Sequence, residues 1–163
     1  MNNSKALSWD WTESQVFEDA VIVAARATAV EMGASPVSPA TGAALRMLAA
    51  ACGAKAVFEI GTGAGVSGLY LLAGMSENGV LTTIDSESEF QAAARSAFRV
   101  ATQKSNRTRL INGHALEVLP RMAKAAYDMV VIDGDVREIS RGSVRLPPCR
   151  PVLTFGLPVQ YSC

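Results

Sequence analysis

Two acids flank a run of glycines in this sequence, and their spacing suggests chemistry. Glu59 stands two residues before Gly61, Gly63 and Gly65 follow, and Asp85 closes the apolar run Val80 to Ile84. Glycines let a backbone turn tightly and approach a ligand without Cβ clashes. Asp85 stands where a nucleotide-binding βαβ unit puts the carboxylate that accepts from ribose hydroxyls. A dinucleotide fingerprint would place its third glycine at position 66, where Val66 stands. Glu59 beside the turn is also a poor neighbour for a pyrophosphate. It suits a cationic adenosine-type ligand such as S-adenosylmethionine, which carries a sulfonium and an ammonium. The glycines taken alone would equally serve a βα turn that exists only for packing.

A second group of acids, Asp133 and Asp135, follows the apolar run Tyr127 to Ile132. Hard divalent cations such as Mg²⁺ or Mn²⁺ take oxygen ligands, and these are the clustered acids at a strand end. An Asp-Gly-Asp turn that caps the next segment is the plainer alternative. The single histidine, His114, follows another strand end. It reads as a solvated or packed side chain, or as a group lying against an adenine. Cys52, Cys149 and Cys163 have no metal or redox spacing, and their odd number suits a reducing, cytoplasmic setting.

The elements that must position these residues follow from pattern. A chain of 163 residues with 49% hydrophobic content supports one domain with a sizeable core. Fifteen basic and fifteen acidic residues balance, which points away from nucleic acid and anionic membranes as partners. Met1 to Gln15 is polar, unlike a signal peptide. Glu18, Asp19, Arg26 and Glu31 interrupt the apolar stretch to Met32, so it is not expected to span a bilayer. Helices are predicted over Gln15 to Met32 (with Val16, Phe17, Ala20, Val23, Ala24, Ala27 and Val30 as the apolar stripe), Thr41 to Cys52, Val66 to Met75, Ser86 to Lys104, and 115–126 with Pro120 opening a fresh turn. Strands are predicted at 57–60, 80–84, Thr108 to Asn112 and Tyr127 to Ile132. Strands alternating with helices imply an α/β fold whose parallel sheet is covered on both faces.

Four segments then become specific together: Pro36-Val37-Ser38-Pro39-Ala40-Thr41-Gly42, Glu59-Ile60-Gly61-Thr62-Gly63, Gly113 to Pro120, and Val131-Ile132-Asp133-Gly134-Asp135. Over roughly residues 10–136 the chain resembles the class I S-adenosylmethionine-dependent O-methyltransferases related to catechol and caffeoyl-CoA O-methyltransferases, especially their bacterial members. The resemblance implies a Rossmann-like, doubly wound parallel sheet and methyl transfer to a hydroxyl of a small molecule. Val37 would lie over the methionine end of the cofactor, with Glu59, Gly61 and Thr62 around its amino-acid portion. Gly63 and Gly65 would complete the turn, Ser67 would hold the carboxylate, Asp85 the ribose, and His114 would lie against the adenine. Asp133 would be the catalytic position and first ligand of a divalent metal, with Asp135 beside it.

The chain also departs from that pattern. His114 replaces an acid, Val136 stands where a proton-accepting lysine is found in animal and plant relatives, and no Asp-Asn pair follows Asp135. Residues 136–163 hold four of seven prolines, two of three cysteines, and four arginines against Glu138 as their one acid. The expected organisation is therefore a cofactor-binding domain over 1–135 with a divergent tail over 136–163, the C-terminal strands missing or replaced. A shifted reading frame and a lineage-specific ending both fit. An impaired catalyst is expected, and the 127–132 strand would present an apolar edge that invites homodimer formation or aggregation. A non-catalytic cofactor-binding remnant is the alternative. An NAD(P)-dependent reductase is less favoured, because no lysine follows Tyr70, Tyr127 or Tyr161 by four residues.

Overall fold

Alternating side chains split each strand between two apolar cores, and the helices settle on either face accordingly. The computed structural model describes residues 3–102, 104–123 and 126–134. In chain order its elements are α1 (Asn3–Ser14), α2 (Ala20–Glu31), α3 (Pro39–Ala51), β1 (Ala56–Ile60), α4 (Val66–Gly74), β2 (Val80–Asp85), α5 (Ser88–Thr102), β3 (Thr108–Asn112), α6 (Ala115–Val118) and β4 (Met129–Ile132).

All pairings among the four strands are parallel, in the order β3-β2-β1-β4. The chain therefore builds outward from β1 to β3 and then returns to the other side of β1. The crevice between the carboxyl ends of β1 and β4 is the switch point where ligands bind in open α/β sheets. Val57, Leu81, Met129 and Val131 face one core with Ile22, Leu45, Leu71 and Phe98 from α2, α3, α4 and α5. Phe58, Ile60, Ile84, Val130 and Ile132 face the other, closed by Leu119, Val118 and Tyr127. The expected α/β parallel sheet is present.

Several local expectations shift. The helix expected from Gln15 begins at Ala20, because the Asp19 carboxylate accepts from the amides of Val21 (3.0 Å) and Ile22 (2.9 Å) and fixes the start there. Its buried residues are Ile22, Ala25 and Ala29, not the predicted stripe. Phe17 is 94% exposed, and Val23 and Val30 are also exposed. Arg26 turns inward to Glu18 and Val37, and this polar anchor sets the rotation of the helix. The predicted helix over 115–126 shortens to α6 and a 3-10 turn, Leu119–Arg121, that holds Pro120. Proline has no N–H for a continuing helix. Residues Asn3–Ser14, expected only to be polar, form α1. Asp135, Val136 and the tail 136–163 lie outside the described residues. Among the described residues no helix is long and apolar enough to cross a membrane.

Candidate functional site

Each strand that reaches the switch point ends in a turn that stays tied to its neighbour. Gly61 N donates to Ile84 O at 2.9 Å, Gly113 N to Asp85 O at 2.9 Å, and Asp133 N to Ile60 O at 2.8 Å. These bonds extend the sheet into its loops and make a firm floor. Above it lies a cavity of about 350 Å³. Its lining brings together Val37, Gly61, Thr62, Gly63, Ser67, Asp85, His114 and Asp133, from segments spread over nearly the whole described chain.

The glycines divide their work. At Gly61 (φ +96°) a Cβ would stand 2.8 Å from the Asp133 carbonyl oxygen and 2.7 Å from Gly134 N, so only glycine lets the β1 and β4 ends close up. Gly65 (φ +93°) is not part of the lining. A Cβ there would press on Phe98 and Ala94 of α5 at about 3 Å, so Gly65 serves the packing of α4 on α5. Gly63 N donates to Asp85 Oδ2 at 2.8 Å. The other oxygen of that carboxylate accepts from Glu87 N at 3.0 Å. Asp85 is thus aimed into the cavity by two backbone amides, with lone pairs left for a ligand's hydroxyls.

Glu59 lies beneath this floor. It is fully buried, on the sheet face covered by α4. Thr83 Oγ1 donates to Glu59 Oε2 at 2.7 Å and lies 2.8 Å from the Thr62 hydroxyl, so Thr62 completes the chain as donor. Among the described residues Glu59 Oε1 has no hydrogen-bond partner. Burial pushes the carboxyl up to about 7, and the negative charges of Asp133 and Asp85 push the same way. The hydroxyls of Ser67 and Thr83 oppose them; that of Ser67 is close enough to favour the anion without completing a bond to Oε1. A buried carboxylate with an unmatched oxygen is costly unless a positive charge comes near. The atom therefore fits a cationic ligand.

Asp133 stands at the exposed mouth of the cavity, and the protein around its carboxyl raises it to about 6. Solvent at the mouth screens part of that penalty. Among the described residues no group of three His, Cys, Asp or Glu gathers to hold a metal, and Asp135, the other expected ligand, lies outside them. His114 is exposed at the N-cap of α6, on the cavity wall. The cavity also takes in Ser86 and Phe90, which sequence reasoning missed. Both belong to the segment that follows Asp85, so their closeness to a ribose-binding acid was the available signal.

The profile of a family described as O-methyltransferase matches residues 6–142. This chain belongs to the O-methyltransferase family. A Mycobacteroides abscessus relative that carries the O-methyltransferase name is 53% identical over 137 residues, covering 82% of this chain and 64% of the relative. A Mycobacterium tuberculosis relative of the same name is 54% identical, covering 78% and 57%. The chain thus spans rather more than half the length of these family members. Among solved structures, a Corynebacterium glutamicum protein superposes with a TM-score of 0.80 at 30% identity, covering 93% of this chain and 74% of that one. The Streptomyces achromogenes O-methyltransferase TomG, of tomaymycin synthesis, solved with S-adenosylmethionine, superposes at 0.73 with 26% identity, covering 86% and 66%. The family fold is the Rossmann-like one seen here.

Proposed function

We propose that this chain binds S-adenosylmethionine in the switch-point cavity and that it is the cofactor-binding part of an O-methyltransferase acting on a small hydroxylated acceptor. The observation that carries the reading is the buried, half-satisfied Glu59 carboxylate beneath a cavity whose rim holds the aimed carboxylate of Asp85. One acid matches the positive charge of the cofactor, the other its ribose. TomG, at 26% identity, was solved with this cofactor, and a Bacillus cereus O-methyltransferase, at 25% identity, with its demethylated product. The ligand roles of Val37, Gly61, Thr62, Gly63, Ser67 and His114 belong to the same reading. Transfer would be an in-line displacement in which the protein supplies orientation and electrostatic stabilisation.

A divalent cation at Asp133 and Asp135 would bring the acceptor hydroxyl to the methyl group. Among the described residues Asp133 alone does not make the oxygen set such an ion needs. A cytoplasmic location and a homodimer belong to the same proposal, the homodimer pairing through the β4 edge of the described sheet.

Calorimetric titration with S-adenosylhomocysteine and NADH tests the reading. S-adenosylhomocysteine should bind and NADH should bind more weakly. Asp85→Ala removes charge-assisted hydrogen bonds and should weaken binding about 10- to 100-fold. Tighter binding of NADH, or an Asp85→Ala variant with unchanged affinity, would overturn it.

A further inference from the structure

We propose that Arg26 is a positioning residue for the cofactor cavity: braced by Glu18 and Tyr70, its guanidinium grips the Val37 carbonyl and holds the roof segment over the glycine turn. The inference rests on the cofactor reading above and adds a residue outside the cavity to it. Neither Arg26, Glu18 nor Tyr70 lines the cavity, whereas Ser35, Pro36 and Val37 do. Any influence of the three on a ligand therefore passes through the roof.

The geometry is that of a fork used on both sides. Arg26 Nε donates to Glu18 Oε2 at 3.0 Å, and Nη2 donates to Oε1 of the same carboxylate. That leaves Nη1 to donate to Val37 O at 2.6 Å. Tyr70 Oη donates to Glu18 Oε1 at 2.7 Å. The pair is mostly enclosed, the Arg26 side chain being 21% and the Glu18 side chain 10% exposed. A planar guanidinium can hold a carboxylate with one edge and a carbonyl with another, and a lysine ammonium cannot reproduce that arrangement.

The same network ties the roof to the floor. Tyr70 sits on α4, whose first turn carries Val66 and Ser67 into the cavity. Roof and floor are thus joined through Val37, Arg26, Glu18 and Tyr70, and the span of the cavity is set by them. Room for Tyr70 is made at Gly42 in α3, where a Cβ would lie 2.2 Å from the Tyr70 ring. Glycine is disfavoured inside a helix, so its place there marks how closely the ring passes. Glu13 of α1 holds the far end of the roof, accepting from Ser38 Oγ at 2.7 Å and Ala40 N at 2.8 Å.

The test uses the full chain with Arg26→Gln, Arg26→Lys and Tyr70→Phe. Arg107→Gln serves as a matched control, because Arg107 donates to the carbonyls of Gly79, Leu72 and Ser76, none of which lines the cavity. Three quantities are read: affinity for S-adenosylhomocysteine, the melting temperature, and amide exchange over residues 35–41 without ligand. Arg26→Gln should bind about 10-fold more weakly and exchange faster over 35–41. Arg26→Lys and Tyr70→Phe should fall between it and the wild type. Arg107→Gln should lower the melting temperature while leaving affinity and 35–41 exchange as they were. Wild-type affinity in a folded Arg26→Gln protein, or an equal loss in Arg107→Gln, would overturn the proposal. Should Arg26→Gln fail to fold, Tyr70→Phe decides: wild-type affinity and exchange there overturn it as well. Absence of S-adenosylhomocysteine binding by the wild type would overturn the cofactor reading instead, and the exchange comparison would still judge the grip of Arg26.

Discussion

Glu59 is the residue where the fold's interests and the site's diverge. The folded protein holds its carboxyl near 7 against an ordinary value of 4.5, chiefly through burial. A carboxyl raised in the folded state is protonated there over a range in which the unfolded chain has already lost its proton. Stability from this group is therefore complete below about 4.5 and falls as pH rises to about 7, by on the order of 3 kcal/mol. Asp133, raised to about 6, works in the same direction with a contribution reduced by solvent. Glu18 works oppositely, since its hydrogen bond with Arg26 holds it below the ordinary carboxylate range. The share of Glu59 is isolated by difference. Thermal melts of wild type and Glu59→Gln from pH 5 to 8 should converge at the acid end, with the variant the more stable at the alkaline end. That same variant should lose affinity for S-adenosylmethionine, because the charge that met the cation is gone. Parallel pH profiles for the two proteins would refute the assignment.

At the scale of elements, the contact of α3 with α4 shows how glycine sets spacing. A Cβ at Gly74 would lie 2.2 Å from the Arg46 carbonyl oxygen, and one at Gly42 would enter the Tyr70 ring. Alanine is the better helix former by about 1 kcal/mol, yet overpacking costs typically 1–3 kcal/mol and more when backbone must move. Gly74→Ala should therefore lower stability by a net ~1–2 kcal/mol in a denaturant titration. A neutral or stabilising result would mean that the helices separate freely. The start of α2 offers a second check. Asp19→Ala removes the acceptor for two first-turn amides and should cost about 1 kcal/mol. Circular dichroism melts of the two proteins would measure it.

For the whole molecule, the site is assembled from segments that meet only at the sheet's switch point, so a ligand there should stabilise the domain as one unit. Saturation with S-adenosylhomocysteine at about 100 times its Kd should add about 2.7 kcal/mol. The gain should appear as a concentration-dependent rise in melting temperature, and Asp85→Ala should cut it to about 0.4–1.4 kcal/mol at the same concentrations. A melt in which only part of the signal shifts would show that α1 to α3 and the sheet unfold separately. The roof bonds from Glu13 and Arg26 to residues 37–40 argue for a single transition.

Much of this was legible in the chain itself. The glycine turn, Asp85 and the β-strand pattern were readable because each depends on a local rule: φ freedom, side-chain period and helix-start chemistry. The acidity of Glu59 beside the turn could also be read, but not that it would be fully buried with one oxygen unmatched. That depends on α4 covering the sheet face it shares with Val57. The rotation of α2 is not legible in the sequence for a related reason. Its apolar stripe was countable, whereas the inward pull on Arg26 comes from Val37, eleven residues on, and from Glu18, itself braced by Tyr70 on α4. Likewise the packing of Gly65 on Phe98 and Ala94 depends on α5, a later helix that the turn itself does not contain. Sequence determined which elements form and which residues end them. Tertiary structure decided which way they face, because burial and long-range polar anchors belong to neighbours that the local chain does not contain.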